Sequence, residues 1–229
     1  MSFTNRTELL LSSDEFKAVQ NAKICVFGVG GVGGYVVELL VRCGAQNITI
    51  VDFDKVDETN INRQIIATTK TLGELKVDAM KKRAQEINPK CNICAINMAF
   101  NEQNKSEFKL SNFDFVIDAI DSVCDKLLLI KECKIANVNI ISAMGAGNKI
   151  DVPSFEICDI YKTQNDGLAK KMRKLLREEG ITSLNVCYSK ATSIPNKTIG
   201  SIAYYPACAG SVIAGYVINQ IIKGEQKWF

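Results

Sequence analysis

The chain has 229 residues, 47% hydrophobic and 23% charged, which is enough apolar content for a packed core and unlike a disordered segment. It has no histidine, which excludes imidazole bases, Ser-His and Cys-His nucleophilic pairs and imidazole metal sites. The net charge of +3 suits an anionic partner without demanding one.

Residues 1–20 mix charges with apolar side chains and lack a signal-peptide layout, and no apolar run reaches membrane-spanning length; a cytoplasmic protein with no membrane contact is expected. Residues 23–28 (KICVFG) read as a buried strand and 32–43 as the helix that follows it. Strands are expected at 47–52, 91–97, 113–119 and 139–144, and helices at 73–87 and 122–137, the first of these stopped by Asn88-Pro89. This alternation predicts an α/β fold, a Rossmann-like, mostly parallel sheet with helices on both faces. After Gly145-Ala146-Gly147 the pattern changes: strands at 154–159 and 184–189 flank a basic helix at 167–180, and a last helix runs over 208–223. With no linker, repeat or low-complexity stretch, residues 1–229 are expected to form one domain, a nucleotide-binding core over 22–150 and an antiparallel C-terminal extension over 151–229. The odd count and scattered spacing of the nine cysteines predict reduced, mostly buried thiols. Cys91 and Cys94 form a single C-x-x-C inside a strand, where alternation sets them on opposite faces, so core thiols are expected there rather than a zinc site.

Gly28, Gly30 and Gly33 form a G-x-G-x-x-G that follows a strand and opens a helix. Such glycines allow a tight turn and a close approach of backbone to nucleotide, with helix N–H groups nearby for anions. Asp52 closes the second strand, where a carboxylate accepts hydrogen bonds from ribose hydroxyls. On these residues alone a nicotinamide dehydrogenase leads. The residues downstream change the weighting: Arg63, Lys76 and Asp121 converge on the same sheet edge, as a site holding a triphosphate and Mg²⁺ requires.

The segments GVGGVG, VDFDKVDETNINRQ, GELKVDAMKKRAQEINP and VIDAIDS resemble the adenylating fold of ubiquitin-activating enzymes and its bacterial relatives of thiamine and molybdopterin biosynthesis. That resemblance implies ATP and Mg²⁺ as cofactors, with Gly31 against the nucleotide and Asp52 on the ribose. It further implies Asn60, Arg63 and Lys76 on the phosphates, and Asp121 carrying the metal. Arg6 resembles the family arginine that reaches into the partner subunit's ATP site, which implies a homodimer. In the last third, DIYKT (159–163), DGL (166–168), RKLLR (173–177), Tyr188-Ser189 and Tyr205-Pro206-Ala207 with Gly210 resemble one branch, the tRNA threonylcarbamoyladenosine dehydratases. Two positions depart from that branch: Lys190-Ala191 stands where an acidic residue is common, and Gly34 where serine is frequent.

The branch implies a tRNA substrate whose threonylcarbamoyl carboxylate is activated by ATP as an acyl-adenylate and then closes a ring with loss of water. An intramolecular nucleophile needs no enzyme histidine or cysteine. Lys170, Arg173, Lys174 and Arg177 can share one face of the basic helix and hold tRNA phosphates, although charge alone fits a solvated face equally well. Adenylation of a ubiquitin-like or sulfur-carrier protein remains the alternative, with Cys187 or Cys208 as its nucleophile. A dehydrogenase and a non-catalytic nucleotide- or tRNA-binding module stand behind it. A sulfur-acceptor protein is a further partner left open.

Overall fold

The computed structural model describes residues 3–223. Two helices come first, α1 (Asn5–Glu8) and α2 (Ser13–Asn21). The second was not expected, yet its start is written in the sequence: the Ser12 side chain accepts the Glu15 N–H while the Glu15 carboxylate accepts the Ser12 N–H. The alternating core follows as β1 (Lys23–Phe27), α3 (Gly33–Arg42), β2 (Asn47–Val51), α4 (Lys76–Ile87), β3 (Asn92–Ile96), β4 (Phe115–Asp118), α5 (Val123–Ile135) and β5 (Asn139–Ala143). The extension adds β6 (Phe155–Asp159), α6 (Gly167–Glu178), β7 (Asn185–Ser189) and α7 (Tyr204–Ile222).

The strands form one seven-stranded sheet in the order β3-β2-β1-β4-β5-β7-β6. Every pair is parallel except β6 with β7, so the expected antiparallel element is the edge strand. Strand β1 explains the two-sided cover: Ile24 and Val26 enter one core, Cys25 and Phe27 the other, and all four are buried. The first core takes Val19 of α2, Val37 of α3, Met80 of α4 and Ile213 of α7. The second takes Leu129 of α5 and Met172 and Leu176 of α6, with Phe100 and Leu110 from the connection before β4. A continuous apolar strand is what burial on both faces requires.

Three boundaries differ from expectation for local reasons. Helix α4 starts at Lys76 rather than residue 73, because Gly73 adopts φ +80 and Leu75 forms an antiparallel bridge with Lys55. Helix α7 starts at Tyr204 rather than residue 208, and Pro206 lies within its first turn, where a missing N–H costs nothing. Cys91 is buried just before β3, but Cys94 is exposed, because β3 is an edge strand; Cys94 is therefore not the core thiol expected. Among the described residues no helix is long and apolar enough to cross a membrane.

Candidate active site

The strands wind outward from the middle of the sheet, β1 to β2 and β3 on one side, β4 to β5 and β7 on the other. The boundary between β1 and β4 is the switch point, and ligands of open parallel sheets bind outside the carboxyl ends of the strands there. The glycine turn lies at that place. Gly28 has φ +87, and a Cβ on it would stand 2.6 Å from the Ala119 carbonyl oxygen beyond β4. A Cβ on Gly33 would run into the Gly28 carbonyl oxygen, so these two glycines let the turn fold on itself against the sheet. Gly30 and Gly31 line the outer side of the turn. Gln64 Nε2 is 3.8 Å from the Cβ position of Gly30; Pro206 Cβ (3.3 Å) and Arg63 Cγ (3.7 Å) flank that of Gly31. Gly34, by contrast, faces the packed Ile65.

Asp52 is buried beside the turn and accepts the Val29 N–H at 2.7 Å and the Asp54 N–H at 2.9 Å. It therefore fixes the turn to the end of β2, and each oxygen keeps a lone pair for another donor. Asn60 is buried and closes a reciprocal cap with Asp57 in the short 3-10 turn Glu58–Asn60. That turn aims the next residues: Arg63 donates to the Thr59 carbonyl (2.7 Å) and to Asn62 Oδ1 (3.0 Å). Lys76, almost wholly buried, pairs with the half-exposed Asp54 at 2.7 Å. Charges thus converge on the mouth of the turn: Arg63 beside Gly31, and Lys76 held at the end of β2 through Asp54.

The two aspartates after β4 have different surroundings. Asp118 is fully buried, pairs with the equally buried Lys126 at 2.8 Å and accepts a short hydrogen bond from Ser142. Lys126 also donates to the Ala143 carbonyl at 3.1 Å, which ties β4, β5 and α5 together under the sheet edge. Asp121 is exposed on that edge and, among the described residues, has no hydrogen-bond or ion-pair partner. Among the described residues no group of three or more His, Cys, Asp or Glu could chelate a metal by itself.

Sequence reasoning overlooked Gln64. Its side chain is buried against the glycine turn, yet Oε1 has no hydrogen-bond partner. A buried acceptor left unpaired costs free energy, and its place beside Gly30 makes it a candidate contact for a donor entering the site. The signal was available in the motif, since Gln64 directly follows Arg63. Exposed Phe53, next to Asp52, was overlooked as well.

Arg6 is exposed on α1 and does not join this cluster. Thr4 packs against Gly44, just past the C-terminal end of α3, whose N-terminal end is the glycine turn. A ten-residue helix is about 15 Å long, so α1 sits near the far edge of the sheet from its own turn.

Helix α6 is tied to the site edge by its cap. Asp166 accepts the Ala169 N–H at 2.8 Å and the Gly145 N–H at 3.0 Å, and lies 3.6 Å from the buried Lys149 ammonium. Burial pulls the Lys149 pKa below the usual lysine value, against the opposing effect of Asp166. The four basic residues singled out on this helix are not equivalent. Lys170 and Lys174 are exposed, the latter 4.0 Å from Glu178. Arg173 turns back onto the hydroxyl and carbonyl of Thr163, and Arg177 stacks 5.1 Å over the Tyr161 ring. Lys170 lies in the first turn, nearest the edge; Arg177 is two turns farther away.

Cys187 is buried, and desolvation pushes its thiol up to about 12, the state of a packed thiol rather than a nucleophile. Cys208 is partly buried in α7. A cleft of about 750 Å³ opens at the opposite, amino-terminal edge of the sheet, lined by Asp114, Lys134, Asn139 and Asn185. It shares no residue with the glycine turn.

Comparison with known proteins bears on this geometry. The model of the ThiF family matches residues 4–227. The chain is 38% identical to the tRNA threonylcarbamoyladenosine dehydratase of Bacillus subtilis, over 96% of this chain and 94% of that protein. It is 41% identical to the enzyme of that name from Haemophilus influenzae, over 74% of this chain and 65% of the relative. Escherichia coli TcdA, a tRNA N6-threonylcarbamoyladenosine dehydratase solved in complex with ATP, superposes with a TM-score of 0.91 at 30% identity, covering 96% of this chain and 93% of that one.

Proposed function

Because this chain belongs to the ThiF family, we propose that it is an ATP-dependent tRNA threonylcarbamoyladenosine dehydratase acting through an acyl-adenylate. The observation that carries this reading is the likeness to dehydratases of that name over nearly the whole chain, through the C-terminal extension as well as the glycine turn. Residues 1–229 are read as one adenylating domain; β6 and β7 support this by completing the sheet that β1 to β5 begin.

The threonylcarbamoyl carboxylate attacks the α-phosphate of ATP, pyrophosphate leaves, and an atom of the same modification attacks the acyl carbon and expels AMP. The net change in the RNA is the loss of one water. Gly28, Gly30, Gly31 and Gly33 admit the nucleotide to the end of β1, and Asp52 turns its remaining lone pairs to the ribose. Asn60, Arg63 and Lys76 take the phosphates; Arg63 can exchange its bonds to Thr59 and Asn62 for stronger ones to phosphate oxygens. Gln64 offers its unpaired acceptor beside them. Asp121 fits a Mg²⁺ ligand, because Mg²⁺ is commonly held by one or two carboxylates together with substrate phosphates. Bound there, Mg²⁺ would supply neutralisation of phosphate charge.

Arg6 is assigned to the site of a second copy in a homodimer. Its distance from its own turn supports this, as do the exposed apolar side chains of Phe3, Leu9 and Leu10 around it. Lys170, Arg173, Lys174 and Arg177 are assigned to tRNA, with Lys170 and Lys174 the better presented. A tRNA-modifying enzyme works where tRNA is, so the cytoplasm is its proposed location.

Pyrophosphate release tests the reading. The purified protein with Mg²⁺-ATP should release pyrophosphate rapidly on addition of threonylcarbamoylated tRNA and barely at all with unmodified tRNA. Equal release with both would contradict it.

A further inference from the structure

The chain between β7 and α7, residues 190–203, runs along the same sheet edge as the glycine turn and is fastened at both sides. Asn62, next to Arg63, donates through its side chain to the Ser201 carbonyl at 3.0 Å. On the other side Asn148, itself at φ +56, donates its N–H to the Gly200 carbonyl (2.8 Å) and accepts the Gly200 N–H on its side chain (2.6 Å). Its own carbonyl accepts the Ile194 N–H at 2.6 Å. Gly147 lets this strap approach, since a Cβ there would stand 2.5 Å from Ile199.

The strap delivers Tyr204 to the site. Two residues later Pro206 packs on Gly31, so the tyrosine stands beside the nucleotide turn at the first residue of α7. Its hydroxyl is anchored on the Ile150 carbonyl at 2.6 Å, while 41% of the residue remains exposed. Exposed Ile150, whose carbonyl takes that bond, and exposed Ile202, two residues earlier in the chain, adjoin it. Residues 190–203 carry Lys190 and Lys197 and no acidic residue. Lys190 pairs with Glu156 at 3.1 Å, whereas Lys197 has no ion-pair partner among the described residues. An anchored, part-exposed aromatic ring beside apolar side chains, on a strap that brings a lysine, matches unpaired RNA: bases stack on aromatic faces and phosphates meet cations.

We propose that Tyr204 is a positioning residue on which an unpaired base of the substrate RNA stacks, bringing the reactive group to the glycine turn. This rests on the tRNA reading above and names the side chain that seats the RNA. Tyr204→Ala should raise KM for threonylcarbamoylated tRNA about tenfold, with kcat and ATP affinity within about twofold of the parent. Tyr204→Phe should restore KM, since stacking needs the ring and not the hydroxyl. Failure of both variants to the same degree would mean that only the bond to Ile150 matters, and an unchanged KM in Tyr204→Ala would mean that no base stacks there; either result overturns the proposal. A binding measurement is independent of turnover. In Tyr204→Trp, the emission added over that of the protein's own Trp228 should be quenched by an RNA hairpin with an unpaired loop and not by a fully paired duplex. Emission that stays constant while polarisation shows the hairpin bound would also overturn it. If instead the Tyr204→Trp emission is quenched by the hairpin but the parent protein never dehydrates threonylcarbamoylated tRNA, the enzymatic reading fails and the stacking site stands.

Discussion

At the scale of single residues, two aspartates three positions apart receive opposite assignments from burial alone. Asp118 has spent its charge on Lys126 inside the protein, whereas Asp121 stands exposed on the edge. Asp121→Ala should therefore abolish turnover and leave the unfolding midpoint unchanged. Asp118→Ala should cost about 3–5 kcal/mol of stability, because it strands a buried ammonium. Urea denaturation alongside activity separates the two; full Mg²⁺-dependent activity in Asp121→Ala would remove it from the metal role. Gly28→Ala should lose about 2 kcal/mol or more, read as a fall in the urea midpoint, since its left-handed backbone and the Ala119 carbonyl both oppose a side chain. The placement of the glycine turn, Asp52 and Asp121 on one sheet edge was legible in the sequence because its signal is local: a strand, a turn, a helix. Gln64 was not, because nothing in the chain order says that an amide will be buried with one oxygen unpaired. The partners of Arg173 and Arg177 were hidden for the same reason, as both depend on how α6 lies on the residues before it.

At the scale of elements, α6 changes the weight given to its four basic residues. Arg173 is spent on Thr163 and Arg177 on Tyr161, so their substitution should act first on stability, about 1–2 kcal/mol for Arg173→Ala. Lys170 is exposed, and Lys174, exposed as well, has only a loose 4.0 Å pairing with Glu178 to give up for a phosphate; each lost phosphate contact should reduce the slope of log affinity against log salt by about one unit. Titration of tRNA at several salt concentrations checks this: Lys170→Ala with Lys174→Ala should flatten the slope while ATP affinity holds. An unchanged slope in the folded double variant would move the RNA surface off α6. Helix and strand interiors were legible from apolar periodicity, as β1 to β5 show. Their ends were less so. The start of α4 is decided by the bridge between Lys55 and Leu75, a pairing across 20 positions, and that of α7 by the tolerance of a first turn for Pro206. Helix α2 was legible in principle from Ser12 and Glu15, but its few apolar residues hid it behind the charges.

At the scale of the whole molecule, the parallel sheet and the place of the site followed from alternation and the glycine turn. The strand order did not, since pairing β1 with β4 joins segments some 90 residues apart and only packing selects it. The same scale holds the intersubunit claim. Arg6 lies near the far edge of the sheet from its own turn, so Arg6→Ala and Arg63→Ala should each be inactive alone. Mixed under conditions where subunits exchange, they should recover part of the activity, because one of the two composite sites is then intact. Confirmed exchange without recovery would return Arg6 to its own subunit or remove it from the site. The central claim, that one site adenylates and cyclises a modified adenosine in tRNA, meets its most direct test in the product. Purified protein, Mg²⁺-ATP and threonylcarbamoylated tRNA are incubated, the RNA is digested to nucleosides, and the masses are measured. The account predicts a modified nucleoside lighter by one water, formed only when ATP is present. An unchanged nucleoside mass while the protein binds ATP and the tRNA would contradict it.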